Sequence, residues 1–268
     1  LACENNLDLW AGILAPEEST SPFADFHHAL FSLLTEACKK PKHFEKYAIG
    51  VPRGFAKTQF IKLLIDNIIT FTHHRFILTI GNTATLAQNV IGDATSLLDS
   101  PNYISLFGSW RHGVETDNKE EKVFNFRGKN NIIKAMGCGG SVRGINKGNT
   151  RPSIIIMDDM QDYDNSQNPQ LSKELYRWMR GTLIPAGSPH GCIVIYIGNM
   201  YPRLDDENKN PCCILHKLKL DRNWTSLIAG ALVYDESNNL VSLWEDVHPK
   251  ARLLAKLQEE MDAGTPEI

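Results

Sequence analysis

Short runs of consecutive apolar residues alternate along this chain with segments whose apolar residues recur at helical spacing, and this alternation restricts the fold more than any other feature. The apolar runs lie at residues 44–51, 75–80, 153–157 and 192–197, the helical segments at 57–71, 83–98 and 171–183, and a β-hairpin pattern at 122–136. Strands that are apolar on both faces are typical of parallel sheets covered by helices on both sides. The pattern therefore predicts an α/β fold with a mostly parallel central sheet flanked by helices.

Composition excludes several classes of protein. With 268 residues, 42% hydrophobic and 22% charged, the chain has the composition of an ordinary globular protein that can bury a sizeable core. No apolar stretch approaches the length of a membrane span. The net charge of -3 argues against a surface that is basic all over, although a local basic groove remains possible. The six cysteines form no CxxC pair, which favours a reducing compartment.

The character of the sequence changes after about residue 202. A polar segment at residues 205–211 is followed by strand-like pieces at 213–220 and 240–243 and by a helix at 249–261. We therefore expect a main domain over residues 1–205 and a small C-terminal subdomain over residues 206–268.

The first motif that carries chemistry is the turn at residues 51–58, between a predicted strand and a predicted helix. A phosphate-binding loop needs inward-pointing backbone N–H groups at a helix N-terminus, one lysine, and one hydroxyl for magnesium. Lys57 and Thr58 supply the last two. Val51 and Ala56 stand where the standard pattern has glycines, so a glycine turn with a solvated lysine is the alternative reading of this motif alone.

The second motif is a pair of acids, Asp158 and Asp159, at the end of the apolar run Ile154-Ile155-Ile156-Met157. Carboxylates beside a buried strand are costly without a partner. Magnesium would compensate one of them, and the other could orient or deprotonate water. The alternative is a strand end that enters a polar loop, but the lysine-threonine turn upstream argues against it.

Two further residues are weaker candidates by themselves. Asn199 follows another apolar strand, where its amide could sense a phosphate bound at the neighbouring strand. Arg143 lies in a loop that has five glycines between residues 137 and 148, and an arginine on such a loop suits the neutralisation of transition-state charge. A plain strand end and a surface arginine are the respective alternatives.

Taken together and in order, these motifs resemble the ATPase domain of viral terminase large subunits, the DNA-packaging motors of tailed phages. The resemblance rests on RGFAKT (53–58), FILTIGNTATLAQNVIGDATSLL (76–98), SVRG (141–144), IIIMDD (154–159) and IGN (197–199), together with residues 22–28 and 176–185. It covers roughly residues 20–205 and implies a P-loop NTPase fold of the ASCE type, with ATP and Mg²⁺ as cofactors.

The resemblance also implies a role for each matching residue. Lys57 would bind the β- and γ-phosphates, Thr58 and Asp158 would hold magnesium, and Asp159 would be the catalytic acid in place of the glutamate that many members have. Arg143 would act in trans within a ring, and Asn199 matches the coupling motif. The remaining expected contacts with the nucleotide are Arg53, which is also a candidate catalytic residue, Gly54, Phe55, Ala56, Phe26 and His27.

The partners implied are double-stranded DNA, the procapsid portal, the terminase small subunit and copies of the chain itself, which would form a ring when assembled and remain monomeric in isolation. No membrane is expected, and the location is the cytoplasm of the infected host cell, at the procapsid. The family's nuclease half is not expected in this fragment. Two alternatives remain: another P-loop DNA-dependent ATPase of helicase type, and a non-hydrolysing relative that binds DNA or capsid.

The sequence offers one candidate for the DNA contact. Five cations lie in and around the predicted hairpin and could form a basic patch: Lys119, Lys122, Arg127, Lys129 and Lys134. A solvated hairpin surface is the alternative reading of this patch.

Overall fold

An eight-stranded sheet forms the centre of the chain in a computed structural model that describes residues 2–17, 21–40, 42–142, 144–201 and 212–263. The strands, in chain order, are β1 (Phe44–Gly50), β2 (Phe76–Gly81), β3 (Val114–Asp117), β4 (Glu121–Phe126), β5 (Lys129–Gly137), β6 (Ile154–Asp158), β7 (Cys192–Gly198) and β8 (Thr225–Ile228). They are arranged in the order β3-β4-β5-β2-β6-β7-β1-β8. A separate antiparallel pair consists of β9 (Leu232–Tyr234) and β10 (Leu240–Ser242).

The sheet is parallel except at one edge. Neighbours from β5 to β8 pair in parallel, whereas β3, β4 and β5 form an antiparallel meander. This confirms the predicted α/β P-loop fold with a mostly parallel sheet. The register pairs Gly50 with Gly198 and Asp158 with Ile197. The C-terminal ends of β1, β6 and β7 therefore lie side by side.

Helices cover both faces of the sheet. They are α1 (Leu7–Leu14), α2 (Asp25–Lys39), α3 (Lys57–Phe71), α4 (Ala84–Leu97), α5 (Pro101–Phe107), α6 (Tyr163–Gln167), α7 (Pro169–Trp178), α8 (Ile214–Leu220) and α9 (Lys250–Asp262). The core on one face contains side chains from α1 to α5, and the core on the other contains side chains from α8 and from the end of α7. Within the described part of the chain, no helix combines the length and the apolar character needed to cross a bilayer.

Strand β6 shows why the apolar runs are continuous. Ile154 and Ile156 pack into one core, and Ile155 and Met157 pack into the other, because successive side chains of a strand point to opposite faces. All four are fully buried, and each such side chain contributes on the order of 2 kcal/mol through the area it removes from water. A strand with a polar face would not fit here.

The C-terminal part differs from the prediction in one element. Residues 213–220, predicted as a strand, form α8, because Ile214, Leu215 and Leu218 recur at helical spacing and are buried on one side. Strand β8 pairs with β1 and so belongs to the central sheet, although it lies within the predicted subdomain. The predicted boundary at residue 206 falls outside the described residues.

The hairpin cations are engaged within the protein. Lys129 Nζ donates hydrogen bonds to the carbonyl oxygens of Ile68, Ile69 and Thr72 at 3.4, 2.9 and 3.0 Å, at the C-terminus of α3. Burial lowers the pKa of Lys129 to about 8. In addition, Lys122 pairs with Asp117 and Lys134 with Glu121, so the alternative of a merely solvated hairpin is wrong for these three lysines, and the DNA contact stays a prediction.

We expect Lys129→Met to lower the free energy of unfolding by about 2 kcal/mol, because three carbonyl groups at the negative end of α3 lose a charged donor. Lys119→Met, on the exposed turn before β4, is the matched control and should leave stability unchanged. Urea unfolding followed by circular dichroism measures both. Equal stability of the two variants would contradict the capping role of Lys129.

Candidate functional site

The ends of β1, β6 and β7 border an open cleft of about 530 Å³. Its lining includes Arg53, Lys57, Thr58, Asp159 and Asn199, which lie far apart in the sequence. Parallel strands end in register at this edge, and crevices of this kind are the usual ligand sites of α/β sheets. The structure therefore brings together the residues that the two main sequence motifs predicted.

The turn between β1 and α3, predicted as a phosphate-binding loop and called the phosphate loop below, contains two residues with a left-handed backbone. Gly54 has φ +82°, and Ala56 has φ +53° at the residue before the helix begins. The left-handed conformation costs an alanine on the order of 1 kcal/mol. The loop thus keeps a left-handed residue at the position where the standard motif has glycine, and the helix N-terminus faces the cleft.

Lys57 is buried within this loop. Its Nζ donates to the carbonyl oxygens of Val51 and Pro52 at 3.2 Å each and to Asn199 Oδ1 at 2.7 Å. These three bonds use all the donors of an ammonium group. Burial lowers the pKa of Lys57, and the neighbouring charges of Asp159 and Asp158 oppose that shift. The solvated-lysine alternative is therefore wrong.

Asp158 has a buried oxygen without a protein partner. Thr58 Oγ1 donates to Asp158 Oδ2 at 3.4 Å, whereas Oδ1 has no hydrogen-bond partner among the residues that the structure describes. Burial, followed by the charge of Asp159, raises the pKa of Asp158 to about 7. A buried carboxylate with an unpartnered oxygen is costly unless a cation or a proton compensates its charge.

Magnesium fits this arrangement. The ion typically takes one or two carboxylates from the protein and completes its shell with waters and substrate phosphates. Asp158 and Thr58 supply one carboxylate and one hydroxyl, and the described residues contain no cluster of three or more histidine, cysteine or acidic ligands that would hold a metal alone. One carboxylate and one hydroxyl leave the other positions of the magnesium shell to waters and substrate phosphates.

Asp159 is held at the centre of the cleft by its neighbours. Its backbone has φ +40°, and its N–H donates to the carbonyl oxygen of Ile197 at 3.0 Å. Asn199 Nδ2 donates to Asp159 Oδ1 at 3.3 Å. A Cβ on Gly198 would lie 3.3 Å from the same oxygen, so a larger residue there would crowd the carboxylate. Burial raises the pKa of Asp159, and the charge of Lys57 opposes this.

Tyr201 is a site residue that sequence reasoning missed. Its hydroxyl accepts from Asn199 Nδ2 at 3.3 Å and from an Arg53 guanidinium nitrogen at 3.5 Å. It therefore joins the phosphate-loop arginine to the end of β7. The only signal in the sequence was its position two residues after Asn199.

Asp162 has a structural role. It accepts from the backbone N–H of Asn165 at 2.7 Å, as the N-cap of α6, and from Asn82 Nδ2 at 2.6 Å. Both of its oxygens are thus occupied by protein donors. Of Asp159 and Asp162, Asp159 is therefore the candidate for a role in catalysis.

His27 lies behind the phosphate loop and is only 1% exposed. The Ala24 N–H donates to His27 Nδ1 at 3.1 Å, so the ring proton resides on Nε2, which donates to the carbonyl oxygen of Phe55 at 3.2 Å. Burial lowers the pKa of His27 to about 4. Phe26 packs beside this ring with a centroid separation of 3.7 Å and remains partly exposed.

Two residues from the C-terminal part also contact the loop, and neither was predicted. His248 Nε2 lies 3.0 Å from the carbonyl oxygen of Gly54, and its ring stacks on Phe55 at 4.4 Å. Trp244 packs edge-on against His27 at 4.7 Å and donates from Nε1 to the carbonyl oxygen of Pro22 at 3.0 Å. The loop is therefore contacted from two distant segments.

Arg143, the remaining predicted catalytic residue, lies outside the described residues.

Comparison with known proteins supports the fold. No protein-family model matches the sequence, and no curated protein matches it. A mutant of the large terminase ATPase domain of Thermus phage P74-26 aligns with a TM-score of 0.54 at 10% identity, over 97% of this chain and 96% of that one. The large terminase of bacteriophage HK97 aligns with a TM-score of 0.54 at 12% identity, over 94% of this chain and 51% of that one.

The chain has the fold of a phage large terminase ATPase domain. The family resemblance expected from the order of the motifs is thus confirmed at the level of fold. The chain spans about half the length of the HK97 terminase, so activities of a whole terminase are matters of proposal here.

We expect the terminase-like fold to lose stability in acid partly through His27. Its pKa of about 4 lies below its ordinary value of 6.5, so the unfolded chain takes up the proton first as the pH falls. The loss should begin below about pH 6.5, end near pH 4 and reach about 3 kcal/mol. His27→Gln, which cannot titrate, should show a flatter profile in urea unfolding between these pH values. Parallel profiles would contradict a neutral, buried His27.

Proposed function

We propose that this chain is the ATP-hydrolysing motor domain of a terminase large subunit that drives double-stranded DNA into a procapsid. The observation that carries the proposal is the convergence of a phosphate-loop lysine, a threonine and two buried acids at the edge of a parallel sheet. The fold supports it, because the matching solved structures are large terminases. If Lys57 were a solvated surface lysine and the acids a plain strand end, these groups would not lie together in one cleft.

The phosphate loop binds the nucleotide through its backbone N–H groups and Lys57. Because the three donors of Lys57 are already bonded, contact with a phosphate requires exchange of at least one of those bonds. The bond to Asn199 is the one that also leads to Asp159. Exchange of that bond would release Asn199 Oδ1 and so alter the group that donates to Asp159.

Thr58 and Asp158 would hold magnesium, which neutralises phosphate charge when bound. The unpartnered Asp158 Oδ1 supports this assignment. Cation binding would also keep Asp158 ionised, against the effect of burial.

Asp159 orients the attacking water and accepts its proton. It lies next to the magnesium ligand, and Asn199 holds its Oδ1. A raised pKa suits a general base, because basicity increases with pKa. Arg53, exposed at the rim and bonded to Tyr201, would neutralise phosphate charge during transfer, and Arg143 would do so from a neighbouring subunit of the ring.

The remaining partners belong to the same proposal. A packaging motor acts at the portal of a procapsid in the host cytoplasm, receives DNA with a small subunit, and works as a ring of copies. Gly54, Phe55, Ala56, Phe26 and His27 complete the nucleotide site, the first three through the loop and the last two from beside it. His27 acts by holding the carbonyl group of Phe55, since both of its ring nitrogens are engaged.

A non-hydrolysing relative is the alternative with an observation behind it, because Ala56 replaces a glycine. The left-handed backbone of Ala56 weakens that alternative, since the loop conformation is kept. A helicase-type ATPase would share the site and differ in its response to DNA. Loading of duplex DNA into a procapsid separates it from a packaging motor.

We expect Lys57→Ala to abolish ATP hydrolysis and to weaken nucleotide binding by at least tenfold, because a buried cation at the phosphates is lost. Fluorescent ADP titration and phosphate release measure the two effects. The control is Lys62→Ala, further along the same helix, where the lysine pairs with Asp93 at 2.6 Å. Wild-type nucleotide affinity in Lys57→Ala would overturn the site assignment.

We expect Asp159→Asn to retain ATP binding and to lose turnover by about 10²-fold or more, as for loss of a general base. Asp162→Asn is the matched control in the same loop and should retain turnover, since Asp162 caps a helix. Steady-state kinetics with separate binding measurements test both variants. A larger loss of turnover in Asp162→Asn would reassign the base, and full turnover in Asp159→Asn would remove it.

A further inference from the structure

The outer side of α7 is strongly basic. Lys173, Tyr176, Arg177 and Arg180 follow a spacing of i, i+3, i+4 and i+7 and so lie on one side of the helix, next to the side on which Ser172 and Met179 are buried. Arg180 belongs to the π-helical turn (Met179–Leu183) that continues α7. The three cations on this side are all exposed.

Residues from α8 and β1 extend this surface. Lys217 Nζ lies 5.2 Å from the centre of the Tyr176 ring, and Arg180 lies 5.7 Å from the same ring and donates to its hydroxyl at 3.1 Å. Arg180 also pairs with Asp221 at 3.5 Å, and Lys46 Nζ lies 5.9 Å from the centre of the Trp224 ring, three residues after Asp221. We call the set Lys46, Lys173, Tyr176, Arg177, Arg180 and Lys217 the basic face.

The basic face concentrates positive charge in a chain whose net charge is -3. It contains five cations; among the residues that the structure describes, Asp221 pairs with Arg180, and Glu174 lies on the adjoining side of α7. Like charges held this close repel one another, and binding of an anion relieves that repulsion. The chemistry of the face therefore selects a polyanion.

The aromatic ring of the face indicates which part of a nucleic acid it would contact. Single strands are bound by stacking bases on open aromatic rings. The Tyr176 ring is contacted by the cationic groups of both Arg180 and Lys217, so it is not an open platform. Guanidinium and ammonium groups beside it suit phosphate oxygens. This arrangement favours contact with the backbone of a duplex.

The same two helices are hydrogen-bonded to the loop that follows β6 at the proposed ATP site, which we call the acid loop (residues 159–162). Gln161, two residues after Asp159, accepts from the Ile214 N–H at 2.7 Å and donates to the Cys212 carbonyl oxygen at 3.3 Å. The hydroxyl of Ser172, on α7, donates to that same carbonyl oxygen. A displacement of the acid loop would therefore be passed to both helices that carry the basic face.

We propose that the basic face binds the phosphate backbone of double-stranded DNA and that Gln161 positions it relative to the ATP site. This rests on the proposed function, in which DNA and ATP must be coupled. An acidic protein segment would meet the same charges, but it would not need the link to the acid loop. The duplex is thus the ligand that both observations favour.

The test is duplex affinity by fluorescence anisotropy, with the full chain and a labelled blunt duplex, between about 50 and 200 mM salt. The variant combines Arg177→Gln, Arg180→Gln and Lys217→Gln. We expect affinity at the lowest salt to fall by about tenfold or more, and the slope of log affinity against log salt to become shallower by about 2 to 3, as for loss of three phosphate contacts. Stimulation of ATP hydrolysis by DNA should fall in parallel.

The control combines Lys250→Gln, Arg252→Gln and Lys256→Gln on α9, with the same change in net charge. It should bind duplex like the wild type, and both variants should retain wild-type melting temperature, ADP affinity and DNA-independent hydrolysis. Equal losses in both variants, or no loss in the first, would overturn the proposal. Absence of hydrolysis in a wild-type chain that binds duplex through this face would instead count against the proposed function alone.

Discussion

Three charges buried at the end of an apolar sheet determine most of the arrangement around them. Lys57, Asp158 and Asp159 are each shifted towards the neutral form by burial, and each opposite charge nearby counteracts that shift. Burial of any one of these charges without the others would carry a large free-energy cost. Together they require that the first turn of α3 and the ends of β6 and β7 meet within hydrogen-bonding distance, which the parallel register achieves.

The phosphate loop depends on contacts from outside as well as on its own sequence. His27 holds the carbonyl group of Phe55 from one side, and His248 holds that of Gly54 from the other. These contacts help to keep a non-glycine residue, Ala56, in a left-handed conformation. Since His248 precedes α9, the C-terminal part is attached to the loop that is proposed to contact the phosphates. A movement of this loop would therefore also displace His248 and the segment that leads into α9.

Sequence reasoning was most successful where one physical requirement dominates. Continuous apolar runs predicted the parallel strands, because both faces of each strand are buried. The motif residues Lys57, Thr58, Asp158 and Asp159 were singled out because charge beside such strands is costly without a partner, and the structure brings them together. Prediction failed for residues 213–220, whose pattern of lysines between apolar residues fits a strand or a short helix until the packing partners are known. The capping role of Lys129 was also missed, because nothing in the nearby sequence indicates that its ammonium group reaches the end of α3.

The sequence by itself determined the class of fold and singled out the Lys57 turn and the acid pair, because these follow from local pattern and the high cost of burying charge. Only the tertiary structure decided that Tyr201, Gln161 and His248 belong to the site or its surroundings. Their roles depend on distances between segments that lie up to about two hundred residues apart, and such distances follow from the order and register of the strands. The pairing of α7 with α8 that creates the basic face is of the same kind, because an exposed cation gains its neighbours only when the helices pack.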